Sequence, residues 1–311
     1  MSSQTVCDLI SGLKARDWRA LAKAITIVEN NYAGKEELLN YAYQTSKENC
    51  LIIGITGAGG AGKSTLINSV LQVFADRGKR VGVLAVDPSS SYTGGAVLGD
   101  RVRMGRHALN TDIFIRSFAS RGALGGISQG AKDVLYLYKS FGFDVILLES
   151  YGVGQAETDI TNFVDVTAVV MAPGNGDYMQ LSKAGTREIA DLFVVNKADH
   201  AEAGALYSQL IETFMMLPED QRPVVLKTIA RDQVGIEELV EQLLLAGEKL
   251  LPNRNTKKHM RVINEVMTNA LQMFLPALQK ETEKIVESVL AGEVTPFEAA
   301  RQLGSKITIE E

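Results

Sequence analysis

The stretch Ile52-Ile53-Gly54-Ile55-Thr56-Gly57-Ala58-Gly59-Gly60-Ala61-Gly62-Lys63-Ser64-Thr65 decides the fold class of this chain. It begins as an apolar run without helical spacing and continues as a glycine-rich loop, and an amphipathic segment follows from Leu66 to Phe74. This order of strand, loop and helix, with the spacing G-x4-G-K-[ST], is the Walker A pattern of a phosphate-binding loop. A flexible glycine loop without a ligand is the alternative, and the flanking strand and helix argue against it.

The residue types in this loop suit a nucleoside triphosphate bound with Mg²⁺. Glycine adopts positive φ readily and, because it has no Cβ, lets backbone N–H groups approach phosphate oxygens. Lys63 places a positive charge at the β- and γ-phosphates, and the Ser64 hydroxyl is a hard oxygen ligand for Mg²⁺. The helix that follows directs its positive N-terminal end toward the same anion. The predicted nucleotide-binding loop comprises Gly57, Ala58, Gly59, Gly60, Ala61, Gly62, Lys63, Ser64 and Thr65.

Length and composition predict a globular protein with a local anion site. The 311 residues, 46% of them apolar, are enough for one large domain or two small ones. A net charge of −5 argues against a broad nucleic-acid surface, which would need clustered Lys and Arg. Cys7 and Cys50 are far apart and outside any C-x-x-C spacing, so neither a disulfide framework nor a thiolate metal site is indicated. Without a membrane-length apolar run or a signal-peptide core, we expect a cytoplasmic protein with neither membrane nor nucleic-acid partners.

Apolar periodicity predicts three parts of the chain, with boundaries at residues 1–49, 50–250 and 251–311. The first part contains three helical segments, in which Asp17 is a candidate N-cap and Trp18 is expected to anchor packing. In the second part, short continuous apolar runs alternate with helical segments, which predicts an α/β domain with a mostly parallel sheet flanked by helices. The strands predicted after the first are Val81–Val86, Ile113–Ile115, Val145–Leu148, Val166–Met171, Leu192–Val195 and Val224–Leu226.

The third part is a helical arm with a wide apolar stripe that includes Met267 and Phe274. Pro276 is expected to kink or split its long helix, and Pro296 to open a last short helix. The stripe could belong to a core within the same chain. Because it follows the completed sheet, we favour packing against another subunit, which predicts a homodimer.

Acidic residues follow two of the predicted strands, at the sheet edge where ligands bind in parallel sheets. Asp87 follows the strand Val81–Val86 and is placed to meet the magnesium shell or orient water, although Asp-Pro is also a common start of a turn. Glu149 is followed three residues later by Gly152. This is the relationship of a Walker B acid to a glycine whose N–H senses the γ-phosphate, and a buried acid that caps a helix is the alternative.

A base-recognition motif, Asn196-Lys197-Ala198-Asp199, follows the predicted strand Leu192–Val195. The spacing N-K-x-D after a strand is typical of GTPases, in which the aspartate accepts hydrogen bonds from the guanine N1–H and 2-amino group. Adenine offers no such pair of donors, so a carboxylate here favours GTP over ATP. Lys227 and Thr228 end the next apolar run, where GTPases commonly close over the base, and give weaker support.

Further segments complete a recognisable set: Val86-Asp87-Pro88-Ser89-Ser90, Thr93-Gly94-Gly95, Leu98-Gly99-Asp100-Arg101, Arg103-Met104, Arg121-Gly122, Leu124-Gly125-Gly126, and Glu149 through Gly152-Val153-Gly154-Gln155 to Glu157. With the N-K-x-D motif, these segments closely resemble the MeaB family, also called ArgK-type proteins. Its members are GTPase chaperones of adenosylcobalamin-dependent acyl-CoA mutases. The resemblance covers nearly the whole chain and is most specific in its middle.

The resemblance implies a P-loop NTPase fold of the SIMIBI class, with GTP or GDP and Mg²⁺ bound here and cobalamin bound by the partner mutase. It implies a GTP-hydrolysing metallochaperone that gates cofactor delivery to, or protects, a mutase such as methylmalonyl-CoA mutase. Residues 87–104 would be switch I, residues 149–161 switch II, and residues 173–185 a third switch that contacts the mutase. The implied metal ligands are Ser64, Asp87, Asp100 and Glu149, and the implied catalytic residues are Lys63, Asp87, Asp100, Glu149 and Gly152.

Some positions depart from the family pattern. Gly59 stands where relatives usually have proline, which should loosen the loop slightly without removing a ligand. In the third switch, Tyr178-Met179 and Leu181-Ser182 replace the usual Glu-Leu and Gly-Ile. Val153, directly after Gly152, is apolar and cannot position water, so we expect slow intrinsic hydrolysis that the partner accelerates.

Two other functional classes fit parts of the sequence. A nickel- or cobalt-insertion GTPase of the same broad group usually carries His-rich or paired-Cys ligands, whereas His107, His200 and His259 are scattered and are expected to be surface or locally bonded side chains. An ArgK-like kinase or transport ATPase is the other class. Phosphorylation of a protein substrate with ATP would favour it.

Overall fold

The computed structural model describes residues 3–46, 49–87, 111–119, 129–150, 160–174, 190–249, 254–291 and 293–306. Its helices are α1 Ser3–Lys14, α2 Trp18–Glu29, α3 Lys35–Thr45, α4 Lys63–Asp76, α5 Gln129–Phe141, α6 Ala203–Met215, α7 Ile236–Lys249, α8 Arg254–Leu290 and α9 Pro296–Lys306. Its strands are β1 Leu51–Thr56, β2 Val81–Asp87, β3 Ile113–Ala119, β4 Val145–Ser150, β5 Val166–Met171, β6 Leu192–Val195 and β7 Val224–Lys227. The chain forms two compact units, Met1–Leu250 and Leu251–Glu311.

The strands of the described chain form one parallel sheet in the order β3-β2-β4-β1-β5-β6-β7. The central strand β1 lies between β4 and β5, so the chain crosses to both sides of it. Ligands in such sheets bind beyond the carboxyl ends of the strands, where the strand order changes direction. The glycine loop follows the carboxyl end of β1 and therefore lies at that place. The predicted parallel sheet is confirmed.

Helices cover both faces of the sheet, as the continuous apolar strands predicted. Ile52 of β1 packs into the core beneath α1, α2, α3 and α5, whereas Ile53 and Ile55 pack against α4 and α7. Every residue of β4 and β5 is buried. Because successive side chains enter opposite apolar layers, a central strand needs apolar residues at nearly every position.

Strand β3 is longer than predicted, Ile113–Ala119 instead of Ile113–Ile115. It pairs with β2 along its whole length, with Arg116 opposite Leu84 and Phe118 opposite Val86. Arg116 interrupts the apolar run, but its Nη2 lies 2.8 Å from Glu29 Oε2 on α2. The docked helix supplies the partner that a charged side chain in this edge strand needs, and local sequence does not show that partner.

The N-terminal helices pack against the sheet through an aromatic cluster around Trp18. Asp17 caps α2 as predicted, since its Oδ1 accepts a hydrogen bond from Arg19 N at 2.8 Å. The Trp18 ring is stacked on Phe114, with centroids 5.5 Å apart, and lies 4.9 Å from Phe141. The prediction that Trp18 anchors packing is confirmed.

Aspartates hold the register at the amino-terminal edge of the sheet. The residue before each of β4, β5 and β6 is an aspartate whose carboxylate accepts a hydrogen bond from a backbone N–H across the sheet, in addition to the backbone ladder. These bonds join Arg80 N to Asp144 Oδ2 at 2.9 Å, Ile52 N to Asp165 Oδ2 at 2.9 Å, and Thr167 N to Asp191 Oδ2 at 2.8 Å. An aspartate directly before an apolar run is the local sequence signal of these bonds.

The C-terminal unit contains α8 and α9. Pro276 was predicted to kink or split the long helix, and the split is wrong, because α8 runs without interruption from Arg254 to Leu290. Proline removes one backbone donor from the helix, and the other turns of a 37-residue helix can offset that loss. Pro296 opens α9 as predicted. Despite the length of α8, the described part of the chain contains no helix that combines the length and apolarity needed to cross a membrane.

Candidate nucleotide-binding site

The glycine loop joins β1, which ends at Thr56, to α4, which begins at Lys63, earlier than the predicted amphipathic segment. Gly57 and Gly62 have φ values of 140° and 90°. A Cβ at Gly57 would lie 2.0 Å from Val170 O, and one at Gly62 would lie 2.5 Å from Asn196 Nδ2. These two positions therefore require glycine, both for backbone conformation and for space. Gly59 differs, because a Cβ there meets nothing within 4 Å.

Lys63 is buried in the first turn of α4, with 5% of its surface exposed. Its Nζ donates hydrogen bonds to Gly57 O at 2.7 Å and Ala58 O at 2.9 Å. A buried ammonium group needs such acceptors, and they orient it toward the loop backbone. The positive charge is thus held against the element that binds phosphate in Walker A proteins.

Two predicted magnesium ligands meet beside this loop. The Ser64 hydroxyl donates to Glu149 Oε1 at 2.9 Å, and Glu149 is buried at the end of β4. Behind them, the buried Ser150 hydroxyl lies 3.0 Å from Thr56 Oγ1 and ties the ends of β4 and β1 together. A hydroxyl and a carboxylate in contact are hard oxygen donors, so the residues present fit Mg²⁺.

The other predicted metal and catalytic residues are described in part or not at all. The backbone of Asp87 ends β2, and the preceding Val86 is paired with Ser150 of β4, so position 87 lies at the same sheet edge as Glu149. The Asp87 side chain, Asp100 and Gly152 lie outside the described residues. The same holds for most of the three predicted switch segments.

Asn196, the first residue of the N-K-x-D motif, links three segments that are distant in sequence. Its Nδ2 donates to Ala61 O at 3.0 Å in the glycine loop. Its Oδ1 accepts hydrogen bonds from Thr228 Oγ1 and Ala230 N, both at 3.1 Å. With 2% exposure, the Asn196 amide is buried and holds the loop after β7 against the phosphate loop.

Of the other residues predicted to recognise the base, Lys197, Lys227 and Thr228 contact the protein itself, and Asp199 is partly exposed. Lys197 has a φ of 56°, and its Nζ donates to Gly60 O at 2.8 Å. The Asp199 side chain is 46% exposed at the motif's outer end, where a ligand can reach it. Lys227 Nζ lies 4.4 Å from the ring centroid of Tyr207 on α6, a cation–π contact. Thr228 is buried behind Asn196.

Sequence reasoning missed Arg231, which lies in the short 3₁₀ turn Ala230–Asp232. Its Nη2 is 3.5 Å from Asp199 Oδ2. The same guanidinium binds both carboxylate oxygens of Asp232, each at 3.0 Å. The hydrogen bond and charge of Asp232, followed by the charge of Asp199, raise the pKa of Arg231, while Arg231 lowers the pKa of Asp232. No local pattern marks Arg231, because its contact with Asp199 exists only in the folded chain.

Histidine and cysteine side chains do not gather at this site within the described ranges. Those ranges contain no group of three or more His, Cys, Asp and Glu side chains that could hold a metal ion. His200 is exposed, and its Nδ1 accepts a hydrogen bond from Glu202 N at 3.4 Å, as expected for a locally bonded surface histidine. The side chains of His107 and His259 lie outside the described residues.

A parallel α/β sheet whose central strand leads into a Walker A loop, with an N-K-x-D segment bonded to that loop, defines a P-loop nucleotide-binding protein. The model of the family described as methylmalonyl Co-A mutase-associated GTPase MeaB matches residues 21–282. The chain belongs to the MeaB family of P-loop GTPases, which confirms the predicted resemblance and supports nucleotide hydrolysis as its general chemistry.

Individual relatives agree with this family over most of their length. A Pyrococcus horikoshii protein is 39% identical over 315 residues, covering 98% of this chain and 99% of the relative. The mouse methylmalonic aciduria type A homolog is 31% identical over 94% of this chain and 77% of its own, and the Escherichia coli GTPase ArgK is 35% identical over 77% and 75%. A crystal structure described as LAO/AO transport system kinase superposes with a TM-score of 0.68 at 25% identity, covering 99% of both chains. The predicted P-loop fold is confirmed.

Proposed function

We propose that this protein is a GTPase chaperone of an adenosylcobalamin-dependent acyl-CoA mutase. It binds GTP with Mg²⁺, hydrolyses it to GDP and phosphate, and gates cofactor delivery to the mutase or protects it. The family description and the mouse relative, whose name refers to methylmalonic aciduria, support methylmalonyl-CoA mutase or a related enzyme as the partner. Cobalamin would be bound by the mutase.

The Asn196 network carries the nucleotide part of this proposal. It joins the N-K-x-D motif to the phosphate loop through Ala61 and to the loop after β7 through Ala230. Asp199 is left half-exposed beside these fixed elements. Its carboxylate can accept from the N1–H and 2-amino groups of guanine, whereas adenine lacks that donor pair and would leave the acceptors unpaired. The arrangement thus supports guanine in preference to adenine.

The proposed hydrolysis relies on positioning and electrostatics rather than on covalent chemistry. Backbone N–H groups of residues 57–65 and the Lys63 ammonium would bind the β- and γ-phosphates. Mg²⁺, when bound, would neutralise phosphate charge, and Ser64 and Glu149 would hold it together with the proposed ligands Asp87 and Asp100. Gly152 would contact the γ-phosphate through its N–H. The nucleotide state can then shift the conformation of the partner only by the difference in the partner's affinity for the GTP-bound and GDP-bound forms.

We further propose a homodimer formed through the C-terminal unit, in the cytoplasm. Support for the dimer comes from α8 and α9, where the apolar side chains of Val266, Met267, Leu271 and Phe297 are each at least 59% exposed in the single chain. The first three recur with helical spacing on one side of α8. Large apolar side chains that are exposed together on one side of a helix are characteristic of an interaction site.

Calorimetric titration of the full chain with GDP, GTP and ATP in the presence of Mg²⁺ tests the nucleotide part. We expect binding of GDP and GTP, no comparable binding of ATP, and loss of tight binding in Lys63→Ala, because the buried ammonium is removed from the phosphate loop.

Asp199→Asn should shift preference toward xanthine nucleotides, since an amide can donate to the additional base carbonyl. Lys79→Ala, which removes an exposed lysine beyond α4, is the matched control. Retained guanine selectivity in Asp199→Asn would contradict the base assignment.

Mixing the protein with purified adenosylcobalamin-dependent acyl-CoA mutases tests the partner. We expect a complex whose stability differs between GDP and a nonhydrolysable GTP analogue, and faster GTP hydrolysis within it. Hydrolysis that no mutase changes would count against a chaperone role. ATP-dependent phosphorylation of a protein substrate, unaffected by Asp199→Asn, would favour the kinase alternative instead.

A further inference from the structure

We infer that Arg231 is a positioning residue for guanine recognition, and that it holds the Asp199 carboxylate in the orientation that receives the base. This inference rests on the proposed GTP-binding function and adds to it a residue outside the Walker A and N-K-x-D motifs. It assigns base selectivity to a chain of three side chains, in which Asp232 anchors Arg231 and Arg231 orients Asp199.

The contacts of the guanidinium define its role. Arg231 Nε and Nη2 face Asp232 Oδ1 and Oδ2, each at 3.0 Å, in a two-point contact that fixes the plane of the guanidinium. Nη2 carries a second hydrogen, and Asp199 Oδ2 lies 3.5 Å from this nitrogen. One planar cation thus contacts two carboxylates. Asp232 fixes the orientation of the guanidinium, and the guanidinium in turn attracts the Asp199 carboxylate from a defined direction.

The backbone that bears Arg231 is held firmly next to the motif. Ala230 N donates to Asn196 Oδ1 at 3.1 Å, directly before Arg231. The turn is closed by an antiparallel bridge in which Ile229 N donates to Val234 O at 3.0 Å. Gly235 follows with a φ of 74°, where a Cβ would lie 2.4 Å from Lys227 O. Arg231 therefore starts from a fixed position relative to Asp199.

Asp199 needs such a constraint because it is half-exposed and its carboxylate must present both oxygens to the base. The ion pair with Arg231 at 3.5 Å leaves lone pairs on both Asp199 oxygens, so each oxygen can still accept a hydrogen bond from a guanine donor. Loss of Arg231 should weaken the contact to the 2-amino group in particular, because that contact depends on the orientation of both oxygens.

The guanidinium could instead compete with guanine, since both present adjacent N–H donors. The geometry argues against competition, because the two-pronged face of Arg231 is committed to Asp232, and Asp199 Oδ2 is in ion-pair contact with Nη2 at 3.5 Å. These two roles predict opposite changes in base selectivity. An experiment that compares bases differing by one amino group separates them.

The test measures the dissociation constants of GDP and inosine diphosphate, which lacks the 2-amino group, by calorimetry on the full chain with Mg²⁺. We expect Arg231→Ala to lower the preference for GDP over inosine diphosphate by about two- to fivefold at low salt, the range of an exposed ion pair. Raising the salt concentration should lower this preference in the wild-type protein and leave it unchanged in Arg231→Ala. Asp232→Asn should act in the same direction as Arg231→Ala. The matched control is Arg77→Ala. This variant removes an arginine that directly follows the C-terminal end of α4 and pairs with Glu237 on α7.

The outcomes distinguish this inference from the proposed function. A wild-type protein that binds no GDP refutes the proposed function itself. A wild-type protein that prefers GDP, together with an Arg231→Ala variant of unchanged preference, overturns the positioning role alone. An increased preference in Arg231→Ala also overturns it and identifies Arg231 as a competitor of the base. Salt dependence that persists in the variant would likewise contradict the Arg231–Asp199 contact as its source.

Discussion

At the scale of single residues, the phosphate loop shows that one residue type can meet quite different constraints. Gly57 and Gly62 have positive φ and no room for a Cβ, so their identity is determined by the backbone and by Val170 and Asn196 across the site. Gly59 lies outside the left-handed region and faces open space. Neither the backbone conformation nor the surrounding space therefore requires glycine at position 59.

We predict that Gly59→Ala raises the free energy of unfolding by about 0.4–1 kcal/mol, because alanine restricts the unfolded chain and fits the folded one. Gly62→Ala should lower it by about 1–3 kcal/mol, because alanine is strained at positive φ and its Cβ would displace the Asn196 amide. Urea unfolding without nucleotide measures both. Equal changes in the two variants would contradict the different environments described for these glycines.

At the scale of elements, strands and helices depend on bonds that cross between them. The polar residue Arg116 lies inside β3 because α2 supplies Glu29, and aspartates before β4, β5 and β6 extend hydrogen bonding to neighbouring backbone. Helix α5 is joined to the sheet in a similar way. The buried Tyr138 hydroxyl on α5 donates to Val83 O of β2 at 3.0 Å.

Tyr138 makes this link sensitive to alkaline pH. Burial raises the pKa of Tyr138 above its ordinary value, and the charge of Arg116 offsets this in part. Tyrosine in the unfolded chain titrates at about pH 10, so the unfolded state loses its proton first. The stabilising contribution is complete below that pH and decreases above it by about 1.4 kcal/mol per pH unit.

We predict that Tyr138→Phe lowers the free energy of unfolding at neutral pH by about 0.5–1.5 kcal/mol, because the hydrogen bond to Val83 is lost. Above pH ~10, the variant should lose stability less steeply than the wild-type protein. Urea unfolding across this pH range measures both effects. Tyr32→Phe, which changes an exposed tyrosine, should alter neither, and equal alkaline slopes for all three proteins would contradict the role of Tyr138.

At the scale of the whole molecule, folding brings the parts of the site together across long stretches of chain. The amide of Asn196 reaches the carbonyl of Ala61, 135 residues earlier, and Lys197 reaches Gly60. Because these bonds join the base-recognition motif to the phosphate loop, binding at one should influence the other. The C-terminal unit adds an exposed apolar surface that a single chain leaves facing solvent.

We predict that the wild-type chain sediments as a dimer and that Val266→Glu combined with Leu271→Glu shifts it to a monomer. Burying an unpaired charge costs several kcal/mol, so the dissociation constant should rise about a hundredfold or more. Analytical ultracentrifugation over a concentration series measures this. Met216→Glu, at a 90% exposed position outside the C-terminal unit, is the control, and a wild-type monomer at all concentrations would refute the proposed dimer.

The amino-acid sequence by itself determined the features that contiguous residues encode. Glycine spacing identified the phosphate loop, apolar runs identified the strands, and N-K-x-D at a strand end identified the base-recognition segment, because backbone freedom, burial and motif chemistry act over a few neighbouring residues. Tertiary structure alone decided the contacts of Asn196 with Ala61 and of Arg231 with Asp199, the full length of β3, and the continuity of α8 through Pro276. Each of these depends on residues brought together through space, or on a balance of many helical hydrogen bonds against one, and a local pattern contains neither.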